Sequence, residues 1–305
     1  RRHRRQARGI ANAPRHRFPA AGRGASAADR PRSAQPSLAM VALAIAVAAP
    51  VAAVPAAALE ASDLEECDRL YAQAEHDGNL AKCLQKLEAM YMDSTSNEER
   101  AALCFRLSRV YYNLLSSDDP ANAELNNSKQ KLAELAKSAH KFAEEAVKIA
   151  PNDFRSHYWY GVTIQGVGDN GGGTKYKLQR LPDMRSSFER AHELNPNDGN
   201  TLYCLGSICF HLADINWVTR KLASTLFATP PTATFEESLE FHLQAEKVEP
   251  YFWNKNALMI AKAYEKLGNR QEAAKWAQET LDRPRLSRAD EQVAKEAEAV
   301  LSRTK

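Results

Sequence analysis

FERAHELNPND, at residues 188–198, is one of three segments of this chain that end alike; the others are FAEEAVKIAPND at 142–153 and LEFHLQAEKVEP at 239–250. Each has an alanine five residues before a proline: Ala146 and Pro151, Ala191 and Pro196, Ala245 and Pro250. A small residue lets two helices approach closely, and a proline ends the second of them. The pattern therefore predicts a repeated helical hairpin.

The repeat matches the tetratricopeptide consensus. Tyr160-Gly161 and Leu205-Gly206 occupy its Leu-Gly step, and the last hairpin, 255–282, has nearly standard spacing. Upstream, helical periodicity predicts hairpins from 63–73 with 80–92 and from 98–115 with 125–150, and a charged helix at 289–302 is expected to cap the array. Two helix starts carry the capping-box pattern, Ser62 with Glu65 and Thr234 with Glu237. The predicted fold class is all-α, a tetratricopeptide-like helical-repeat solenoid over residues 60–305.

The spacing of the prolines departs from the consensus. Pro151 and Pro196 are 45 residues apart, and Pro196 and Pro250 are 54 apart, against about 34 in the ordinary repeat. Both excesses fall between the two helices of a hairpin. We therefore predict two enlarged inter-helix insertions on one side of the solenoid, where repeat proteins place binding elements.

The first insertion is GVGDNGGGTKYKLQRL, residues 166–181. It superficially resembles a phosphate-binding loop, but it has Gly-Thr-Lys where Gly-Lys-Ser/Thr is needed, and no strand precedes it. We interpret it as a flexible loop between helices. Lys175, Lys177, Arg180 and Arg185 form a local basic cluster, which is either a solvated face or a contact for an anionic partner.

The second insertion contains NWVTRKLASTLFATPPTATF, residues 216–235. Apolar residues at helical spacing from Leu212 to Leu226 predict that the preceding helix continues and packs on the array, with Arg220 and Lys221 on its opposite face. Pro230 and Pro231 then stop the helix. Two interpretations remain open: Trp217, Leu226 and Phe227 are core residues, or the segment forms a wall of a binding groove. The candidate partner-binding residues here are Trp217, Arg220, Lys221, Phe227, Pro230 and Pro231.

The N-terminal 59 residues have a different composition. They contain ten arginines and one acidic residue, a formal charge of +9, whereas residues 60–305 carry 31 basic and 37 acidic residues, or −6. We predict that 1–37 is disordered, and one interpretation of the uncharged, Ala-rich stretch 38–59 is a targeting or anchoring helix. The alternative is that translation starts at Met40. Whether 38–59 spans a membrane is left open by its two prolines.

Several function classes are disfavoured. A body of charge −6 argues against a nucleic-acid partner, which needs a clustered basic face. Five cysteines without a C-x-x-C pair predict buried thiols in a reducing compartment. The histidines lack metal-ligand spacing and the chain lacks a nucleophile elbow, so we expect no enzyme, metal or cofactor.

The second insertion resembles one family specifically. Its motif, Trp217, Arg220, Ala223 and Leu226 through Pro231, is similar to the signature region of the regulator of microtubule dynamics proteins, as are SHYWYGV at 156–162 and, more weakly, YEKLGNRQEAAKW at 264–276. The resemblance implies a cytoplasmic protein that binds microtubules or tubulin, directly or through a microtubule-associated protein, at the cytoskeleton and spindle.

Some family members are mitochondrial and lie in the outer membrane, where the repeat domain binds phospholipid. The resemblance therefore also implies an alternative function, a phospholipid-binding or transfer module at a membrane contact site. A generic tetratricopeptide adaptor that binds peptides is a further alternative.

Overall fold

A computed structural model of the chain describes residues 59–74, 77–285 and 288–304. This part of the chain is helical and has no strand. Its helices, in order, are α1 (Ala61–Ala72), α2 (Asn79–Asp93), α3 (Asn97–Leu114), the short α4 (Ala123–Asn126), α5 (Lys129–Ile149), α6 (Phe154–Val167), α7 (Gly173–Leu194), α8 (Gly199–Ala213), α9 (Trp217–Leu226), α10 (Phe235–Val248), α11 (Asn254–Lys266), α12 (Arg270–Asp282) and α13 (Arg288–Thr304).

The helices pair into hairpins in chain order. The pairs are α1 with α2, α3 with α5, α6 with α7, α8 with α10, and α11 with α12, and α13 packs on the last pair. First helices of neighbouring pairs also touch, as α3 does with α6 and α8 with α11. The predicted all-α, tetratricopeptide-like solenoid is confirmed. We call the surface formed by the first helices the inner face.

Small residues lie where the helices cross, as the repeat pattern predicts. Ala146, Ala191 and Ala245 are completely buried. A Cβ atom on Gly161 would lie 2.7 Å from Cζ of Phe188, and one on Gly206 would lie 2.8 Å from the ring of His242. The consensus glycines therefore set how closely the two helices of each hairpin approach.

The core divides into two clusters. The larger runs from Cys67 in α1 to Ala263 in α11, and the smaller joins α11, α12 and α13 around Leu258, Ala277 and Val300. The helix predicted as a charged cap is thus amphipathic, with Val300 fully buried.

One of the two predicted capping boxes is present. Thr234 accepts a hydrogen bond from the backbone N–H of Glu237, whose carboxylate accepts one from the N–H of Thr234 at 2.7 Å. The prediction at Ser62 is wrong, because α1 begins two residues earlier than predicted and its cap residue, Glu60, makes no side-chain bond.

The first insertion is enlarged, but the flexible loop predicted for it is wrong. A single π-helical turn spans 168–172, and Gly173, with φ of 70°, starts α7, which extends the second helix to 22 residues. Most of the insertion is therefore an N-terminal extension of a helix. Pro182 lies inside α7 without ending it.

The second insertion is also present, with a different course from the one predicted. The helix from α8 does not continue through it, because α8 ends at Ala213 and α9 begins afresh at Trp217. Asn216 caps α9, its side-chain oxygen accepting the N–H of Thr219 at 2.9 Å. An irregular segment, 227–234, then leads into α10.

The predictions for 1–37 and for nearly all of 38–59 lie outside the described residues. None of the helices within the described residues is long and apolar enough to cross a bilayer.

Candidate partner-binding surfaces

Cationic side chains from three helices lie near one another, two of these helices being first helices of their hairpins and one, α7, a second helix. His211 lies near the end of α8, Lys255 and Lys262 lie on α11, and Lys177 lies on α7. Lys255 and Lys262 are seven residues apart, so they share one side of their helix. We call these four residues the inner-face cluster.

The protein around His211 and Lys255 desolvates both side chains. The His211 side chain reaches solvent, yet surrounding protein atoms desolvate it, and this desolvation, followed by the charges of Lys255 and Lys262, lowers its pKa. Desolvation also lowers the pKa of Lys255, and Lys262 adds to the effect. Both shifts mark a site where positive charge accumulates with reduced hydration.

A carboxylate acts on each member of the cluster, and Asp214 is the one that acts on His211. Lys177 pairs with Asp169 at 2.7 Å, and Lys262 pairs with Glu296 at 2.6 Å. Glu296 also acts on Lys255, so one carboxylate serves two lysines. The inner-face cluster is therefore a group of neighbouring cationic side chains with acidic partners, in a domain of net negative charge.

The predicted basic cluster of the first insertion lies along α7, and most of it is paired. Besides the pair of Lys177, Arg180 contacts Asp183 at 3.3 Å and donates a hydrogen bond to the hydroxyl of Tyr160 at 2.7 Å. Arg185 pairs with Glu189 at 2.8 Å. Within the described chain, Lys175 alone of the four is exposed without a salt bridge. As a set, these residues do not form an uncompensated anion-binding patch.

The predicted residues on α9 lie at the surface. Trp217 is 71% exposed and Val218 is 67% exposed, and Arg220 and Lys221 are also exposed. The interpretation of Trp217 as a core residue is therefore wrong. Within α9 only Ala223 is buried, because this helix packs mainly against one neighbour, α7.

The residues at the C-terminal end of the predicted motif are less exposed to solvent than Trp217 and Val218. Leu226, Phe227, Pro230 and Pro231 are half-buried. Phe227 ends α9 in an extended conformation, and its N–H still bonds to the carbonyl of Ala223 at 3.0 Å. These residues shape the corner between α9 and α10.

Two of the histidines make separate contacts within the fold. His140 contacts the hydroxyl of Thr163 at 3.0 Å, and His242, fully buried, contacts the Asn256 amide oxygen at 2.9 Å. No group of histidine, cysteine and acidic side chains within the described residues could hold a metal ion.

All five cysteines are buried free thiols, as predicted. Burial raises the pKa of the Cys104 and Cys209 thiols.

Sequence reasoning missed the inner-face cluster. Lys177 belongs to the predicted basic cluster of the first insertion, but His211 lies on α8 and the two lysines on α11, and only the fold brings the four together. The seven-residue spacing of Lys255 and Lys262 was a visible signal for two of the four.

The sequence model of the family described as regulator of microtubule dynamics protein 1-3 matches residues 63–305. Regulator of microtubule dynamics protein 1 of Pongo abelii is 34% identical over 219 residues, covering 72% of this chain and 66% of that protein. The protein of the same name from Homo sapiens is 36% identical over 168 residues, covering 55% of this chain and 53% of that protein. The chain thus aligns with about half to two thirds of the length of these relatives.

A solved structure supports the fold. The crystal structure of a thermophilic tetratricopeptide protein of Thermus thermophilus superposes with a TM-score of 0.52 at 14% identity, covering 79% of this chain and 98% of that one. At this identity the likeness concerns the fold alone.

Proposed function

Because the chain belongs to the family of regulator of microtubule dynamics proteins 1 to 3, we propose that it is a non-catalytic interaction protein that associates with microtubules of the cytoskeleton and spindle. The inner face is the proposed contact surface. The observation that carries this proposal is the inner-face cluster, in which Lys255 and Lys262 lie on one side of α11 near His211.

The charge of the cluster suits an acidic partner. The repeat body is net acidic, so bulk charge would repel acidic tubulin, and attraction must come from a local site. A partly desolvated lysine interacts strongly with an anion that displaces its remaining water. An acidic segment of tubulin, or of a microtubule-associated protein, is the kind of partner that such a group of cations attracts.

Co-sedimentation with polymerised tubulin tests the proposal. We expect Lys255→Gln/Lys262→Gln to weaken binding about tenfold, equivalent to about 1.4 kcal/mol. The matched control is Lys137→Gln/Lys148→Gln, which removes the same charge from exposed positions on α5. Equal binding by the two variants would contradict the inner face as the contact surface.

The basic residues of α7 provide a second comparison. Lys177, Arg180 and Arg185 already pair with acids. We therefore expect substitution of these three residues together with Lys175 by glutamine to weaken microtubule binding less, per charge removed, than Lys255→Gln/Lys262→Gln. Binding that depends chiefly on these four residues would move the contact to α7. Failure of the wild-type chain to pellet with microtubules would overturn direct association and leave an adaptor protein as the link.

A further inference from the structure

The segment between α9 and α10 contains an exposed threonine that is followed by two prolines. Thr229 is exposed, and Pro230 and Pro231 come directly after it. Of the 14 prolines in the chain, only Pro230 follows a serine or a threonine, so Thr229-Pro230 is the single Ser/Thr-Pro step of the sequence. This makes Thr229 a candidate for chemistry that depends on the residue after a hydroxyl.

The backbone around Thr229 can change its conformation easily. Residues 227–234 contain no helix, and the chain bends at Ala228 and Thr229. The N–H of Phe227 bonds to α9, and the N–H of Thr234 bonds to the carboxylate of Glu237 in α10. Between these two anchors, residues 228–233 make no hydrogen bond with the rest of the described chain. A kinase binds the residues around its acceptor hydroxyl in an extended conformation, and this segment can straighten without breaking a hydrogen bond.

The neighbouring hydroxyls are less suited as acceptors. Ser224 and Thr225 lie within α9, where each donates its hydroxyl to a carbonyl of the same helix, at 2.8 Å and 2.7 Å. The hydroxyl of Thr234 caps α10. Thr232 is exposed outside the helices, but no proline follows it. Within 224–234, Thr229 is therefore the one hydroxyl residue that is exposed, lies outside a helix and precedes a proline.

The proline provides the recognition. Proline has no N–H, its φ is fixed at about −65°, and it favours an extended conformation in the residue before it. A kinase that selects proline after the acceptor has room for the ring at that position and offers no partner to an N–H. Pro230 therefore suits such an enzyme, and it biases Thr229 toward the conformation that the enzyme binds.

We propose that Thr229 is phosphorylated by a proline-directed serine/threonine kinase. The Thr229 Oγ1 attacks the γ-phosphorus of Mg²⁺-ATP, the bond from this phosphorus to the bridging oxygen breaks, and ADP leaves. The hydroxyl proton passes to the catalytic aspartate of the kinase. The phosphate adds a charge of about −2 to residues 215–235, whose only charges are those of Arg220 and Lys221. Phosphorylation thus cancels the net positive charge of this stretch.

The test is incubation of the full chain with ATP and, separately, a purified mitogen-activated protein kinase and a purified cyclin-dependent kinase. Mass spectrometry of the intact chain and of its fragments then counts and locates the phosphoryl groups. We expect one group per chain, on Thr229. Thr229→Ala removes the acceptor and Pro230→Ala removes the directing residue, so each should lower incorporation by about tenfold or more. Thr232→Ala, an exposed threonine in the same segment, is the matched control and should behave like the wild type.

A conservative variant separates loss of the acceptor from loss of the fold. Thr229→Ser keeps the hydroxyl and should restore incorporation, and circular dichroism should show the same thermal transition for Thr229→Ala and the wild type, since the side chain is exposed. Full incorporation in Thr229→Ala or in Pro230→Ala would overturn the proposal. So would a wild-type chain that stays unmodified while both kinases phosphorylate a standard peptide.

Discussion

Single glycines determine how closely the two helices of a hairpin pack. The Cβ of an alanine at position 161 would fall within 3 Å of three atoms of the Phe188 ring, which is itself buried. We expect Gly161→Ala to lower the free energy of unfolding by about 1–3 kcal/mol, because a close-packed crossing must open. Urea titration measures this, with Gln179→Ala on the exposed side of α7 as control; equal midpoints would mean that the ring shifts without cost.

His242 makes stability depend on pH. It is fully buried, and this burial lowers its pKa from 6.5 to about 4. Since the unfolded chain takes up the proton first as the pH falls, the neutral ring stabilises the fold fully above pH 6.5 and progressively less toward pH 4. At about 1.4 kcal/mol per pKa unit, the loss is about 3 kcal/mol.

A substitution isolates this effect. In His242→Asn the amide can replace the ring N–H that faces Asn256, and nothing titrates. We expect the difference in unfolding free energy between wild type and this variant to shrink by about 3 kcal/mol from pH 7 to pH 4. Gly161→Ala serves as control, because its difference from the wild type should stay constant over this range.

At the scale of helices, the sequence predicted elements well where local pattern and packing agree. α5, α7 and α10 end two residues before their prolines, and the alanine of each is buried. The predictions failed in the insertions. The glycines of 171–173 suggested a loop, but only one turn is irregular before α7 begins.

The course of α9 could not be predicted because apolar periodicity does not reveal which neighbour, if any, covers a helix. Val218 and Leu222 fit the same pattern, yet Val218 is exposed and Leu222 is half-buried. The motif therefore predicts where this candidate surface lies along the chain, whereas its exposure is seen only in the fold.

The hairpins α8–α10 and α11–α12 are joined by a buried polar network. Asn256 donates hydrogen bonds to the His242 carbonyl at 3.0 Å and to Glu246 at 3.1 Å, and Glu246 pairs with Arg283 at 2.7 Å. The Arg283 side chain is 3% exposed. The network therefore contains an ion pair that is shielded from solvent.

Breaking this pair should cost more than replacing it. We expect Arg283→Met to lower the free energy of unfolding by about 3–5 kcal/mol, since it leaves the Glu246 carboxylate buried without its cation, and Glu246→Gln/Arg283→Met to recover much of the loss. Chemical denaturation measures both. Arg190→Met, which breaks the exposed pair with Glu193, should change stability by less than about 1 kcal/mol; a similar loss in all three variants would contradict the argument.

α9 and α8 should differ in local stability. Of the 15 residues of α8, 12 are buried, against one of 10 in α9. Because amides open more easily where little surface is buried, we expect hydrogen exchange in α9 to be faster than in α8. Protection of α9 equal to that of α8 would show that a second surface covers it.

Across the whole molecule, the two core clusters meet at α11. Met259 and Ala263 of this helix belong to the larger cluster, and Leu258 and Ala261 belong to the smaller one. In a linear array each hairpin is stabilised mainly by its neighbours. The C-terminal cluster, which has a neighbour on one side only within the described chain, is therefore expected to unfold before the larger cluster.

Two tryptophans separate these events, since Trp159 is buried in the larger cluster and Trp276 packs against the smaller one. The variants used retain either Trp159 or Trp276 as their single tryptophan. In these variants we expect Val300→Ala to lower the free energy of unfolding by about 2 kcal/mol. We expect it to move the transition seen by Trp276 to lower denaturant more than that seen by Trp159. Leu107→Ala, in the larger cluster, should have the stronger effect on Trp159. If both substitutions moved both transitions equally, the array would unfold as a single unit, and α11 would couple the clusters completely rather than divide them.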